Sequence, residues 1–334
     1  MGGDNAPGEI VKGALSAAQR FPETIIILAG DTVVIEEEIA KTGPKPANIE
    51  ISHATQVVGM SDSPVDAIKN KPDSSLIKSI KLVMKQEASA VISAGNTGAL
   101  VAGSTLILGF LPSVKRPGIA IPIPTRTGIS YLIDAGANIN CNPLHLLQYA
   151  IMASIYCEKT RGISKPKIGL LNIGSEDTKG NELVKETREL LEKSGLNFIG
   201  NIEGQNLFNG TCDVIVCEGF VGNVLLKTIE GLGDFLKQLL AKSIEQIGNK
   251  EIGAMLVGKL QSKTDYSEYG GALLLGLNGI VIKSHGRSNA KAIENAIKVA
   301  IESAQHNLND EIIKYLNALE ISWLDILKSW RASR

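Results

Sequence analysis

Lys167-Ile-Gly-Leu-Leu-Asn-Ile173, closed by Gly174 and followed through Ser175-Glu-Asp-Thr-Lys-Gly-Asn181 by a helical pattern over Glu182–Leu191, is the stretch that decides the fold. A short apolar run that ends in glycine and hands over to a helix is one βα unit. The same order recurs at Thr24–Ala29 before Gly30-Asp31, at Ala90–Ala94 before Gly95-Asn96, and at Val214–Cys217 before Glu218-Gly219. Strands that are apolar throughout are buried on both faces, which is the condition of a parallel sheet covered by helices. The expected class is therefore α/β, a mostly parallel sheet flanked by helices.

The middle of the chain departs from this rhythm. Arg116–Thr125 places Pro117, Pro122 and Pro124 in an extended run, which suits an edge strand or a loop over the sheet better than a central strand. Ile129–Ile133, Asp134-Ala-Gly-Ala-Asn138 and a helix from Asn142-Pro143 then restore the order of strand, loop and helix, with Asn142 as N-cap and Pro143 at the first helical position. From Val224 onward Leu225, Ile229, Leu232, Leu236, Leu239 and Leu240 keep helical spacing. After Gly248-Asn249 a second helical stretch follows, so about 224–265 reads as a helical hairpin projecting from the body. Its tip, Ile252–Val257, is almost wholly apolar and lies between Lys250 and Lys259. With no internal repeat and no low-complexity linker, residues 1–334 read as one domain that includes the hairpin.

Composition narrows the function. Apolar residues make up 44% of 334, and 34 basic residues against 35 acidic ones leave a formal net charge of −1, with no basic stripe of the kind nucleic acid requires. Ala99–Leu111, among the longest apolar runs, falls short of the ~20 residues of a spanning helix. The N-terminal residues lack the basic and apolar regions of a secretory signal, so the expected location is cytoplasmic. Cys141, Cys157, Cys212 and Cys217 show no CxxC spacing and read as reduced thiols. His53 and His145 stand alone, and no metal site is expected.

Chemistry is sought where strands of an open α/β sheet end. Four glycine-rich segments are expected there, converging on one edge of one sheet: Met1–Pro7, Ser93–Gly98, Asn172–Glu182 and Glu218–Asn223. Helix N-termini with open backbone N–H groups bind phosphate, and glycine lets the anion come close. Neither GxGxxG nor a Walker loop is present in proper form, which argues against a nucleotide enzyme. Lys179 could face phosphate or a developing oxyanion, although on the residues alone a solvated surface lysine is the more economical reading. His285 precedes a helix and reads equally as structural. Cys217, at a strand end, has no histidine near it in sequence and reads as a structural thiol.

Taken together and in this order, several segments resemble the phosphate acyltransferase family of bacterial phospholipid synthesis, the PlsX type. They are Met1-Gly-Gly-Asp4 with Ala6-Pro7, Ser93–Ala99, Asp134–Asn138, Asn172-Ile-Gly174 with Lys179–Glu182, Gly219–Asn223, and Tyr269–Ala272 with Gly276 and His285-Gly286. The match runs from residue 1 to about residue 305. The resemblance implies a fold similar to phosphotransacetylases and isocitrate dehydrogenases, a homodimer, and transfer of a fatty acyl group from acyl carrier protein to inorganic phosphate without a cofactor. A membrane-bound glycerol 3-phosphate acyltransferase would consume the product.

It further implies catalytic roles for Lys179 and Asn223, and a substrate site built on Gly2, Gly3, Asp4, Gly95, Asn96, Thr97, Asn181, Gly222 and His285. Phosphate would displace the thiol directly, with Lys179 and Asn223 stabilising the tetrahedral oxyanion. The hairpin stripe would serve the dimer, and the tip, about residues 250–259, a peripheral membrane contact. Two departures stand out. The family carries a short apolar strand ahead of its Met-Gly-Gly-Asp motif, and it usually has aspartate where this chain has Glu218. Competing expectations are a short-chain phosphotransacetylase using acyl-coenzyme A, a dehydrogenase on the related scaffold, and a non-catalytic protein that binds acyl carrier protein or membrane.

Overall fold

The computed structural model describes residues 1–247, 255–256, 258 and 269–318. In chain order the elements are α1 Gly8–Arg20, β1 Ile26–Gly30, α2 Thr32–Thr42, β2 Ile49–His53, α3 Pro64–Asn70, α4 Ser75–Met84, β3 Ala90–Ser93, α5 Thr97–Leu108, β4 Gly118–Thr125, β5 Gly128–Ile133, α6 Pro143–Arg161, β6 Ile168–Asn172, α7 Glu182–Glu192, β7 Phe198–Glu203, β8 Val214–Val216, α8 Gly219–Ile247, β9 Ala272–Leu275, β10 Ile280–Lys283 and α9 Ala290–Gln305. The four strand-to-helix units expected from sequence are β1–α2, β3–α5, β6–α7 and β8–α8.

Local chemistry explains the handovers. Polar side chains just past strand ends take the open N–H groups of the following helix: Asp31 those of Val33 and Val34, Asn96 that of Ala99, Asn181 that of Val184. Asn142 and His145 form a reciprocal capping box at the start of α6, Asn142 Oδ1 accepting from the His145 N–H at 3.0 Å and His145 Nδ1 from the Asn142 N–H at 3.2 Å. His145 is thus a helix cap. α6 is buried almost all round, with Tyr149, Ala150, Ile151, Met152 and Ala153 at 0% exposure, because sheet and helices enclose it.

The main sheet has eight strands in the order β3-β10-β9-β4-β5-β8-β6-β7, and β1 and β2 form a separate parallel pair. β5, β8, β6 and β7 are mutually parallel, as are β3 and β10, while β4 is antiparallel to both its neighbours and β9 to β10. The sheet is therefore two parallel halves that run in opposite directions and are joined through the antiparallel pair β9 and β4. Register brings their carboxyl ends together. Ser93 pairs with Lys283 and Lys283 with Ala272, which lies one step beyond the Ala120–Leu273 pair, while Ile121 pairs on its other side with Leu132. Val216 pairs with Ile133. Both sets of loops thus open onto one seam over the middle of β4. The glycine-rich loops do not share one edge, as expected from sequence; they face each other from two half-sheets.

β4 also corrects the reading of its prolines. It is a central strand, yet only Gly118–Ala120 pair with β9, so Pro122 and Pro124 lie on the part of the strand that is an edge on that side and remove no ladder bond there. Elsewhere, β1 and β3 each have a ladder partner on one side, and an apolar cavity of about 620 Å³ lies between them, lined by both strands, by Ile293 and Ile297, and by Met1. α8 begins at Gly219 rather than Val224 and forms the first arm of the expected hairpin. The second arm lies outside the described residues, as does most of the 250–259 tip, of which Met255 and Leu256 are described and exposed. Among the described residues no helix is long and apolar enough to cross a membrane.

Candidate active site

Where the half-sheets meet, Asp134 organises the floor. It ends β5, is fully buried, and accepts four backbone N–H bonds: from Ile119 at 2.9 Å, Gly136 at 3.0 Å, Ala137 at 2.9 Å and Asn138 at 2.8 Å. Burial pushes its pKa up, against these four amides, which pull it down. The loop it holds, Asp134–Asn138, is pressed against the first turn of α8. A Cβ on Gly222 would stand 1.9 Å from the Asp134 carbonyl oxygen, so only glycine allows this approach. Glu218 caps α8, its carboxylate accepting from the Phe220 N–H at 2.6 Å and the Val221 N–H at 2.9 Å. The extra methylene relative to aspartate does not remove that role.

These contacts set Asn223, one turn into α8, on the wall of a cavity of about 700 Å³. Thr97 and Gly98 from the first turn of α5, Gly136 and Asn138 from the loop after β5, Ala272 from β9 and Lys283 from the end of β10 share that wall. Val101, Leu106, Phe110 and Leu226 add apolar lining, and Arg116 and Lys227 bring further positive charge. Lys227 is neutralised by Glu230 at 2.7 Å. Lys283 is largely buried, and its pKa is lowered by that burial and by Lys227.

Other expected site residues fall in two further places. Gly2, Gly3 and Asp4 meet Gly95 and the His285-Gly286 turn: the Asp4 N–H donates to the Gly286 carbonyl at 2.9 Å, and Gly2 and Gly3 run tightly against the Val58 and Ala94 carbonyls. Asn96 is fully engaged by protein. Its oxygen caps α5, and its amide donates to the carbonyls of Gly59, Met60 and Asp62 at 3.0–3.2 Å. It positions α5 and, through it, Thr97. His285 Nδ1 accepts from the Arg287 N–H at 3.1 Å, and burial together with Lys283 lowers its pKa.

Lys179 and Asn181 belong to the loop after β6, a strand that lies beside β8. Asn172 Nδ2 donates to the Lys179 carbonyl at 3.1 Å, Asn181 caps α7, and the Lys179 side chain is exposed and does not line the cavity. The structure thus joins Thr97 with Asn223 and keeps Lys179 on the neighbouring loop.

Cys217 is buried, its thiol pKa raised well above the ordinary value by desolvation and then by Asp134, and it donates to the Asp134 carbonyl at 3.7 Å. Such a thiol is no nucleophile at neutral pH. Lys283 was not singled out from sequence, and Asp134 and Asn138 entered only as the ends of a matching segment, with no role in the site. Asp134 had a signal, an acidic residue at a strand end followed by small residues, whereas Lys283 depends on strand register, which sequence does not display.

The family model described as fatty acid synthesis protein matches residues 1–311. The chain is 49% identical over 321 residues to the phosphate acyltransferase of Desulfitobacterium hafniense strain DSM 10664 / DCB-2, a match that takes in 95% of this chain and 96% of the relative. It is 46% identical over 323 residues to the phosphate acyltransferase of Halothermothrix orenii, covering 95% and 97%. Among solved structures, a phosphotransacetylase from Streptococcus pyogenes aligns with a TM-score of 0.60 at 18% identity, covering 88% of this chain and 91% of that one. The EutD phosphotransacetylase from Staphylococcus aureus aligns with a TM-score of 0.58 at 16% identity, covering 90% and 92%. At such identities the two structures speak for the fold alone.

Proposed function

Because this chain belongs to the phosphate acyltransferase family, and so moves an acyl group onto phosphate in fatty acid and phospholipid synthesis, we propose that its donor is a long-chain fatty acyl thioester of acyl carrier protein. The observation that carries the choice of donor is the composition of the seam cavity, whose lining combines Asn138, Asn223 and Lys283 with Val101, Leu106 and Phe110. The polar groups suit phosphate and the reacting carbonyl, and the apolar ones suit an alkyl chain.

In the proposed reaction a phosphate oxygen attacks the thioester carbonyl carbon, the carbonyl oxygen becomes an oxyanion, and collapse expels the thiolate, which takes a proton to become the free thiol. The product is the acyl phosphate. Asn223 meets the oxyanion from α8, and Lys179 is proposed to supply positive charge from the neighbouring loop. The remaining expected contacts, from Gly2, Gly3, Asp4, Gly95, Thr97, Asn181, Gly222 and His285, shape the loops around both reactants. Competition between long-chain and short-chain thioesters, each on acyl carrier protein and on coenzyme A, tests the donor. A preference for short acyl-coenzyme A would replace this reading by that of a phosphotransacetylase.

Assembly and location follow as part of the same proposal. The exposed apolar residues of α8 serve a homodimer, and the region around Met255 and Leu256 makes a peripheral membrane contact that delivers acyl phosphate to a membrane-bound glycerol 3-phosphate acyltransferase. Salt-sensitive sedimentation with anionic vesicles, abolished in Met255→Glu with Leu256→Glu, is the expected behaviour. Equal sedimentation of that variant would remove the membrane role.

A further inference from the structure

Lys283 occupies an unusual place. It is the last residue of β10, fixed by ladder pairing to Ala272 on one side and Ser93 on the other, so its backbone has little freedom to turn away from the seam. Its side chain lines the cavity together with Asn223, Asn138 and Thr97. Among the described residues no carboxylate stands within salt-bridge distance of it, since the nearby Glu230 is engaged with Lys227 at 2.7 Å. A largely buried cation with no direct ion pair, only the more distant pull of Glu230, is costly, and an anion in the cavity offsets that cost.

The start of α5 points the same way. The N–H groups of Thr97 and Gly98, at the first two positions of α5, have no carbonyl partner within their helix, and both residues line the same cavity. The two cations that share the cavity are placed differently, Lys227 being paired with Glu230 and Arg116 exposed.

We propose that Lys283 is the substrate-binding cation that holds inorganic phosphate in the seam cavity, aiming it from the β3–β10 half-sheet at a thioester carbonyl presented from the β5–β8 half-sheet. This assignment rests on the acyl-transfer reading and adds to it a division of labour. Lys283 acts on the nucleophile, and Asn223 and Lys179 act on the oxyanion. The backbone scaffold explains why the two reactants arrive from opposite half-sheets.

The test compares wild-type protein with Lys283→Met, which keeps the length and apolar stem of the side chain, and with Lys283→Arg, which keeps the charge. Inorganic phosphate is titrated in two assays, phosphorus NMR line broadening without acyl donor and steady-state acyl phosphate formation. The expected result is a rise in the phosphate Kd and KM of on the order of 10-fold or more in Lys283→Met, with the KM for the acyl donor unchanged and much of the phosphate affinity retained in Lys283→Arg. Wild-type phosphate affinity in Lys283→Met overturns the assignment, as does a fall in kcat with the phosphate KM unmoved. If wild-type protein binds phosphate through Lys283 but consumes no thioester, the acyl-transfer reading fails while the phosphate site stands.

Discussion

Asn223 stands in the first turns of α8 and Lys179 on the loop after β6, and the chemistry assigned to them can be separated from folding because neither supports the core. Lys179 and Asn223 are both exposed. Lys179→Ala and Asn223→Ala are therefore expected to keep the wild-type melting temperature and to lose turnover by on the order of 10²-fold each, the usual cost of one removed oxyanion donor. Thermal denaturation alongside steady-state kinetics checks this, and full activity in either variant would take that residue out of the mechanism. Sequence reading reached these two residues through a family pattern, since a lysine after an acidic turn is otherwise a surface lysine. It could not reach Lys283, whose significance comes from which strands lie beside β10, nor the role of Asn96, whose amide is consumed by three carbonyls of the 59–62 loop. Glu218 was legible only as a departure from aspartate; the structure makes it the cap of α8.

Among the elements, α8 leaves the body as a 29-residue helix on which Leu232, Phe235, Leu236 and Leu239 are 49%, 59%, 37% and 51% exposed. An apolar stripe of this kind is expected to be covered by a second copy, so Leu236→Asp with Leu239→Asp should yield monomers or insoluble protein by light scattering. A soluble, wholly dimeric double variant would show that the dimer rests elsewhere. The pairing of α1 with α9 offers a second test. Glu294 accepts from Arg20 at 2.7 Å and from Ser16 at 2.8 Å, and these bonds, the Arg20 bond first, hold its pKa below the ordinary carboxylate range. A carboxylate with a depressed folded pKa stabilises the fold above its unfolded value and loses that contribution as pH falls through the folded one. Glu294→Gln should then cost about 1 kcal/mol at neutral pH, a modest figure because Arg20 is half exposed, and the difference from wild type should narrow as pH falls below the ordinary glutamate value of about 4.3 in urea unfolding. A difference that persists in acid would assign the effect to packing. Helical spacing made the α8 stripe readable in advance. The central position of β4 was not, because proline argues against a ladder on both sides and only the offset between β9 and β5 reconciles the two.

For the molecule as a whole, the decisive property is that two parallel half-sheets of opposite direction are joined through β9 and β4 and so face their loops across one seam. Sequence reading saw the loops and placed them on a common edge; it had no access to strand direction, which is fixed by long-range pairings such as Ala120 with Leu273 and Ile133 with Val216. The seam gives the proposed reaction a place for two reactants, one from each side, and the proposal requires no acyl group on the protein. The most direct measurement is mass spectrometry of the products formed from long-chain acyl carrier protein and oxygen-labelled phosphate, with the intact protein weighed in the same reaction. The account predicts phosphate-dependent loss of thioester, an equal amount of acyl phosphate whose bridging oxygen carries the label, and no acyl mass on the protein at Cys217 or elsewhere. Free fatty acid as the sole product, thioester loss that is independent of phosphate, or an acylated protein would contradict it.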